Sequence, residues 1–133
     1  MPGLDVAGRD GYSSVCCGVR LDMGAQASQH HRILGNRRDN RPSNGLLLQG
    51  TGSAGCHWRW HVPDRAEAER LGYVVTKFRG PARTLEVPVW YHQPHLGRVG
   101  WYLLDDDGGL ADTGYRDKTL DARDYGETWG VGR

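Results

Sequence analysis

Short apolar runs separated by turn-forming residues dominate the hydrophobic pattern of this chain. Leu46, Leu47 and Leu48 predict a short buried strand. Further strands are predicted from apolar runs at residues 73–77, 85–91 and 99–104. The last two runs are joined by HQPHLGR and closed by DDDGG, which predicts a β-hairpin near the C-terminus.

A helical segment is predicted between the first strand and the others, over residues 56–71. Pro63 fits the first turn of a helix, and the acidic Asp64 and Glu67 suit a positive helix N-terminus. Gly72 is a suitable stop. The segment is therefore one kinked helix or two abutting helices, and the chain as a whole is predicted to be α+β.

Both ends of the chain lack a periodic apolar pattern. Residues 1–12 are rich in glycine and predict a flexible arm, whereas residues 110–133 offer little to bury and predict a disordered acidic tail. The ordered domain is then expected over residues 13–109. Residues 33–45 are full of Gly, Asn, Asp and Pro, so they predict a loop.

Composition limits the size of the core. The chain has 133 residues, of which 38% are hydrophobic, with 20 glycines and a single Phe. This predicts one small domain with a thin core, and such domains often depend on a bound metal. We expect a cytoplasmic protein without a membrane segment, because no apolar stretch approaches roughly 18 residues and the N-terminus does not resemble a signal peptide.

The net charge is +1, but acidic and basic residues are distributed unevenly along the chain. Residues 105–133 hold eight acidic and four basic side chains, which leaves thirteen basic and eight acidic ones in the remainder. A mildly basic body suits a polyanionic partner, although many proteins that bind no polyanion carry the same charge. Three cysteines, two of them adjacent, make a poor disulfide framework.

Four of the six histidines fall in two tight clusters. His57 and His61 stand four residues apart in the predicted helix, so they share a face and could bind one ion. His30, at the end of a strand, could add a third ligand, and three protein ligands plus water make an open, catalytic metal site. The adjacent His31 would point to the other side of the strand, where a free imidazole suits a general base.

Residues 30–61, HHRILGNRRDNRPSNGLLLQGTGSAGCHWRWH, resemble the motif of the HNH endonucleases, and most closely the small phage-type members. The flanking pieces RDGYSSVCCG, RAEAERLGYVV and VPVWYHQPHLGRVGWYLLDDDGG extend this resemblance over roughly residues 9–109. It implies a small ββα-metal (His-Me finger) core around one divalent metal, here with an added C-terminal β-hairpin. It also implies DNA as the substrate and, by analogy, phage packaging proteins as partners.

The resemblance assigns roles to single residues. His30, His57 and His61 would be the metal ligands, with Mg, Mn, Ni and Zn not distinguished. His31 would be the base that activates water, and Asn44 would tie the loop that orients His31. Apart from the resemblance, four arginines cluster in the loop between His31 and Asn44, where they would contact DNA phosphates or would equally fit a solvated loop: Arg32, Arg37, Arg38 and Arg41.

The chain departs from the pattern of many relatives at a second metal site. Those relatives hold a structural zinc with two cysteine pairs, but here Ser14 and Gln49 stand at or near two of the four positions. Cys17 and Cys56 fill the other two, with Cys16 as a possible spare. We therefore expect Cys17 and Cys56 to lie close together without a stable zinc. A further departure is Gly45, where Leu is common.

The sequence leaves other interpretations open. His30 and His31 taken alone could be ordinary surface histidines, and Trp58 and Trp60 favour core packing over stacking on DNA. The main alternative function is a non-catalytic nucleic-acid-binding module, since a decayed zinc domain could use the basic loop alone. A small zinc-stabilised interaction protein is less favoured, because it should retain more thiolates.

Overall fold

Two small antiparallel sheets and three short helices form the described part of the chain. The computed structural model describes residues 2–21, 26–33, 38–50, 54–61, 63–76, 84–120 and 122, without the side chains of residues 2–5 and 61. Its helices are α1 (Pro2–Arg9), α2 (Gly55–His61) and α3 (Arg65–Arg70). Its strands are β1 (Ala27–His31), β2 (Gly45–Gln49), β3 (Val89–Gln93), β4 (Arg98–Leu104) and β5 (Leu110–Asp112).

The first sheet pairs β1 with β2, and α2 follows β2 and contacts it. The predicted Leu-rich strand is confirmed, and Leu46 and Leu48 are fully buried. The register places His30 opposite Leu46 and His31 opposite Gly45. The helical segment is split into α2 and α3 around Pro63, which confirms the alternative of two abutting helices.

The second sheet has the order β3-β4-β5, all antiparallel. Edge-to-face contacts between aromatic rings join β3 to β4, with centroids 5.6 Å apart for Trp90–Trp101 and 5.2 Å for Tyr91–Tyr102. The predicted hairpin is confirmed, but β3 begins only at Val89, after a proline that cannot donate to a strand ladder. The sequence DDDGG is the turn between β4 and β5.

The strand predicted at residues 73–77 is not found over residues 73–76, and residue 77 lies outside the described part of the chain. Residues 73–75 are buried but irregular, because the N–H groups of Tyr73 and Val74 both donate to the carbonyl of Ala68. Val75 N–H donates to the carbonyl of Arg32, which adjoins β1. This segment therefore connects the sheets without joining either ladder.

The N-terminal segment is a docked helix and not the flexible arm expected for residues 1–12. Val6 in α1 is fully buried, and so are the ion-paired side chains of Arg9 and Asp10, which are at most 7% exposed. The helix passes so close to β2 that a Cβ atom on Gly45 would lie 2.8 Å from Cγ2 of Val6. The absence of a side chain at Gly45 therefore allows α1 to pack against β2. This is a second effect of the glycine, in addition to weakening the start of the strand.

The C-terminal segment also differs from the expected disordered tail over residues 110–120. β5 pairs with β4, and the hydroxyl of Thr113 donates to the carbonyl of Trp101. The indole N–H of Trp101 donates to the carbonyl of Asp117 at 2.7 Å. The part of the tail from residue 123 onward lies outside the described residues. In the described part, no helix has the length and apolar character needed to cross a membrane.

Candidate functional site

Two histidines meet between the first sheet and α2. The rings of His30 and His57 lie edge to face with their centroids 5.1 Å apart. His30 is fully buried and His57 is 7% exposed. β1 directs His30 toward the helix that carries His57, because residues two apart on a strand share a face and Ser28 on that face also contacts His57. His61 follows one turn later in α2, but its side chain lies outside the described residues.

Hydrogen bonds fix which nitrogen of each ring carries the proton. His30 Nε2 lies 2.6 Å from the carbonyl oxygen of Tyr73, which can only accept, so His30 Nε2–H donates. Ser28 donates its hydroxyl proton to the carbonyl of Gly50, so its oxygen accepts from His57 Nδ1–H at 2.6 Å. Neutral rings then carry their lone pairs on His30 Nδ1 and His57 Nε2. This pattern fits metal ligation, in which the second ring nitrogen is held by a protein oxygen.

His31 occupies the opposite side of β1 and is half-exposed. Its Nε2 lies 3.0 Å from the side-chain oxygen of Asn40, which accepts the ring proton. A neutral His31 therefore has its lone pair on Nδ1. Sequence reasoning missed both Asn40 and Ser28 as ring partners, although the position of Ser28 two residues before His30 was a usable signal.

Asn44 is fully buried and bridges the two ends of the loop that follows β1. Its side-chain oxygen accepts from Ile33 N–H at 2.9 Å, and its Nδ2 donates to the carbonyl of Asp39 at 2.8 Å. Its main-chain carbonyl accepts from Arg32 N–H at 2.8 Å. Asn44 thus holds the segment that presents Asn40 to His31.

Arg32 does not occupy the predicted phosphate-binding position. The side chain is fully buried, and its guanidinium donates to carbonyl oxygens at 2.7–2.9 Å, those of Ser43, Gly72, Thr84 and Val87. Burial lowers the pKa of Arg32 to about 9, and the four acceptors offset part of the cost of placing its charge inside. The assignment of Arg32 to DNA contact is therefore wrong, because no phosphate can reach it in this fold.

The other loop arginines differ among themselves. Arg41 forms ion pairs with Asp39 at 2.8 Å and with Asp106 at 3.5 Å. The hydrogen bond between Arg41 and Asp39 raises the pKa of the arginine and lowers that of the aspartate. Arg38 is exposed, whereas Arg37 lies outside the described residues. A phosphate contact thus remains a prediction for Arg37, Arg38 and Arg41.

Three cysteines form a second cluster near the start of α2. The sulfur atoms of Cys16, Cys17 and Cys56 all lie within 4.8 Å of one another, so these residues could hold a metal ion. The expected proximity of Cys17 and Cys56 is confirmed, and Cys16 is a full member of the cluster and not a spare. Its hydrogen bonds lower the pKa of Cys17 to about 5 and also lower that of Cys56, while raising its own.

Core packing was expected for both tryptophans of α2, but only one of them is buried. Trp60 packs in the core as predicted, but Trp58 is 41% exposed. The guanidinium of Arg59 lies 4.5 Å from the ring centre of Trp60, which shields that ring from solvent.

Comparison with known protein families, with characterised proteins and with solved structures finds no match. Any functional conclusion therefore depends on the residues and geometry described above.

Proposed function

We propose that this protein is a metal-dependent DNA endonuclease of the HNH type, built on a ββα-metal core. One observation carries the proposal. β1 presents His30 to His57 on one side and His31 to the loop on the other, so candidate ligands and a candidate base are adjacent but separate. The order β1-β2-α2 is the order that the resemblance implies.

The histidines facing α2 fit a metal ion. Both described rings have one nitrogen within hydrogen-bond distance of a protein oxygen, which orients the ring, and the other nitrogen of each ring would be the ligand atom. His61, on the same face of α2 one turn from His57, would complete three protein ligands. When bound, a divalent cation would supply positive charge to the scissile phosphate and the leaving oxygen.

His31 would act on the water molecule. Its Nδ1 takes a proton from water, and the oxygen of that water forms a bond to phosphorus while the bond from phosphorus to the leaving oxygen breaks. Asn40 holds Nε2–H, so the ring keeps its lone pair on Nδ1 and cannot rotate freely. Asn44 acts as a positioning residue, because it secures the loop that carries Asn40.

The sharpest test separates the two adjacent histidines. His31→Ala should retain Mn²⁺ and DNA binding but lose cleavage by about 10²–10⁴-fold, the usual contribution of a positioned general base. Higher pH should restore part of that activity, because hydroxide replaces the missing base. His30→Ala should instead weaken Mn²⁺ affinity, and excess Mn²⁺ should restore part of its activity. Single-turnover cleavage of plasmid DNA and calorimetric titration with Mn²⁺ provide the readouts.

His95→Ala is the matched control, since His95 is exposed in the turn between β3 and β4 and should be silent in both assays. Full activity in His31→Ala would remove the general-base role. If the wild-type protein binds DNA but cleaves it with none of Mg²⁺, Mn²⁺, Ni²⁺ or Zn²⁺, the non-catalytic binding module would be the better description.

A further inference from the structure

The cysteine cluster brings together two parts of the chain that are distant in sequence. Cys16 and Cys17 belong to a turn that is fixed between the two sheets, because Val15 N–H donates to the carbonyl of Leu47 and His92 N–H donates to the carbonyl of Val15, both at 2.8 Å. Cys56 lies in the first turn of α2. The three sulfur atoms therefore converge through the fold and not through local sequence.

The groups around the sulfurs support them without adding a fourth thiolate. Ser14 Oγ lies 3.3 Å from Cys17 Sγ and accepts from Val19 N–H at 3.0 Å. Gln49 contributes twice, since its main-chain N–H donates to Cys16 Sγ at 3.5 Å and its side-chain oxygen accepts from Cys56 N–H at 3.0 Å. Contacts of this kind orient ligands from outside the coordination shell.

The cluster opens onto a groove of about 540 Å³. Basic side chains contribute to its walls, among them Arg59, Arg116 and Lys118, with Glu67 as the acidic member. Trp60 also lines the groove, and its buried indole nitrogen has no hydrogen-bond partner in the described part of the chain. The groove thus provides room for a ligand beside the three sulfurs.

We propose that Cys16, Cys17 and Cys56 form a three-thiolate site for a thiophilic cation such as Zn²⁺ or Cu⁺, with a fourth position open to the groove. Thiolate sulfur selects such cations over Mg²⁺ and Mn²⁺. The addition of Cys16 to the cluster replaces the expectation, based on Cys17 and Cys56, that no stable zinc binds. The ligand set also differs from the closed four-cysteine site that the resemblance implies, because the residues at positions 14 and 49 only support the sulfurs. The fourth ligand would be water or a small anion that enters from the groove. This proposal is independent of the nuclease function.

Titration of the reduced, full-length chain with Co²⁺ tests the proposal directly. One equivalent should give sulfur-to-cobalt charge-transfer absorption, with an intensity that corresponds to three thiolates. Zn²⁺, added with a chromophoric chelator as competitor, should displace the cobalt at the same stoichiometry. The intensity in the wild-type protein counts sulfur ligands even if a cysteine variant fails to fold.

Single variants then assign the ligands. Cys16→Ser, Cys17→Ser and Cys56→Ser should each weaken Zn²⁺ binding by more than the roughly 10–100-fold that loss of an outer partner costs. His95→Ala, which removes an exposed imidazole elsewhere, should leave the cobalt spectrum unchanged. Retention of full affinity in Cys16→Ser would overturn the three-thiolate site, as would a disulfide formed in air by a reduced protein that takes up no metal.

Discussion

Arg32 shows how strongly burial can change the role of a charged residue. A position directly after two histidines and before a basic loop favours DNA contact, yet its side chain enters the interior, where it joins the loop after β1 to the segments at residues 72 and 84–87. The guanidinium is suited to this because its five donors have fixed directions and can bind several carbonyls at once.

Replacement of Arg32 should therefore affect stability and not DNA affinity. Arg32→Met should lower the free energy of unfolding by at least about 3 kcal/mol, because each buried carbonyl that loses its partner costs roughly 1–3 kcal/mol. Arg38→Met, at an exposed site in the same loop, should stay within about 0.5 kcal/mol of the wild type. Urea denaturation measures both. Unchanged stability with weakened DNA binding in Arg32→Met would restore the phosphate-binding role.

Among the elements, those with a local signal could be predicted from sequence and those held by distant contacts could not. The three leucines of β2 and the proline between α2 and α3 act within a few residues, so both features follow from pattern. α1 is only eight residues long, and its position depends on Arg9 and Asp10, which bind groups more than thirty residues away. For the same reason, the histidine cluster could be predicted from the spacing of its residues along the chain. The contributions of Asn40 and Cys16 could not, because they depend on contacts that only the folded structure shows.

The link between α1 and the rest of the fold can be tested at Asp10. Its carboxylate pairs with Arg9, accepts from Leu47 N–H at 3.0 Å and accepts from the hydroxyl of Tyr91 at 2.6 Å. Asp10→Asn keeps the shape but leaves the buried Arg9 charge uncompensated, so it should cost about 3–5 kcal/mol.

Thermal unfolding provides the readout for Asp10→Asn. Asp107→Asn serves as the control, since Asp107 is exposed in the turn between β4 and β5 and should change little. A stability of Asp10→Asn equal to that of the wild type would mean that α1 is not held by this ion pair.

At the scale of the whole molecule, both sheets share one hydrophobic core. Leu46 and Leu48 of the first sheet belong to the same cluster of buried residues as Trp90 and Trp101 of the second. Tyr73 lies between them and donates its hydroxyl proton to the carbonyl of Trp90 at 2.8 Å. The histidine site on the first sheet and the cysteine site between the two sheets therefore depend on a common packing unit.

Removal of the C-terminal segment should weaken this shared core. A chain that ends at residue 109 loses β5 and the partners of Trp101, and uncovering one large side chain costs roughly 1.5–3 kcal/mol. A chain that ends at residue 122 keeps β5 and both hydrogen bonds of Trp101, and it serves as the control. The chain that ends at residue 109 should therefore unfold at a lower urea concentration than the chain that ends at residue 122. Equal midpoints would indicate that β5 and the residues after it contribute nothing to the fold.

The close approach of α1 to β2 makes positions 6 and 45 interdependent during evolution. A side chain at position 45 would occupy the space that the Val6 methyl groups fill, since the nearest of these lies 2.8 Å from the place of a Cβ. A homologous chain with Leu at this position could not dock an N-terminal helix in the same place. Within an alignment of such chains, a large residue after the asparagine should coincide with a shortened, displaced or missing helix, so the two positions would covary as one unit.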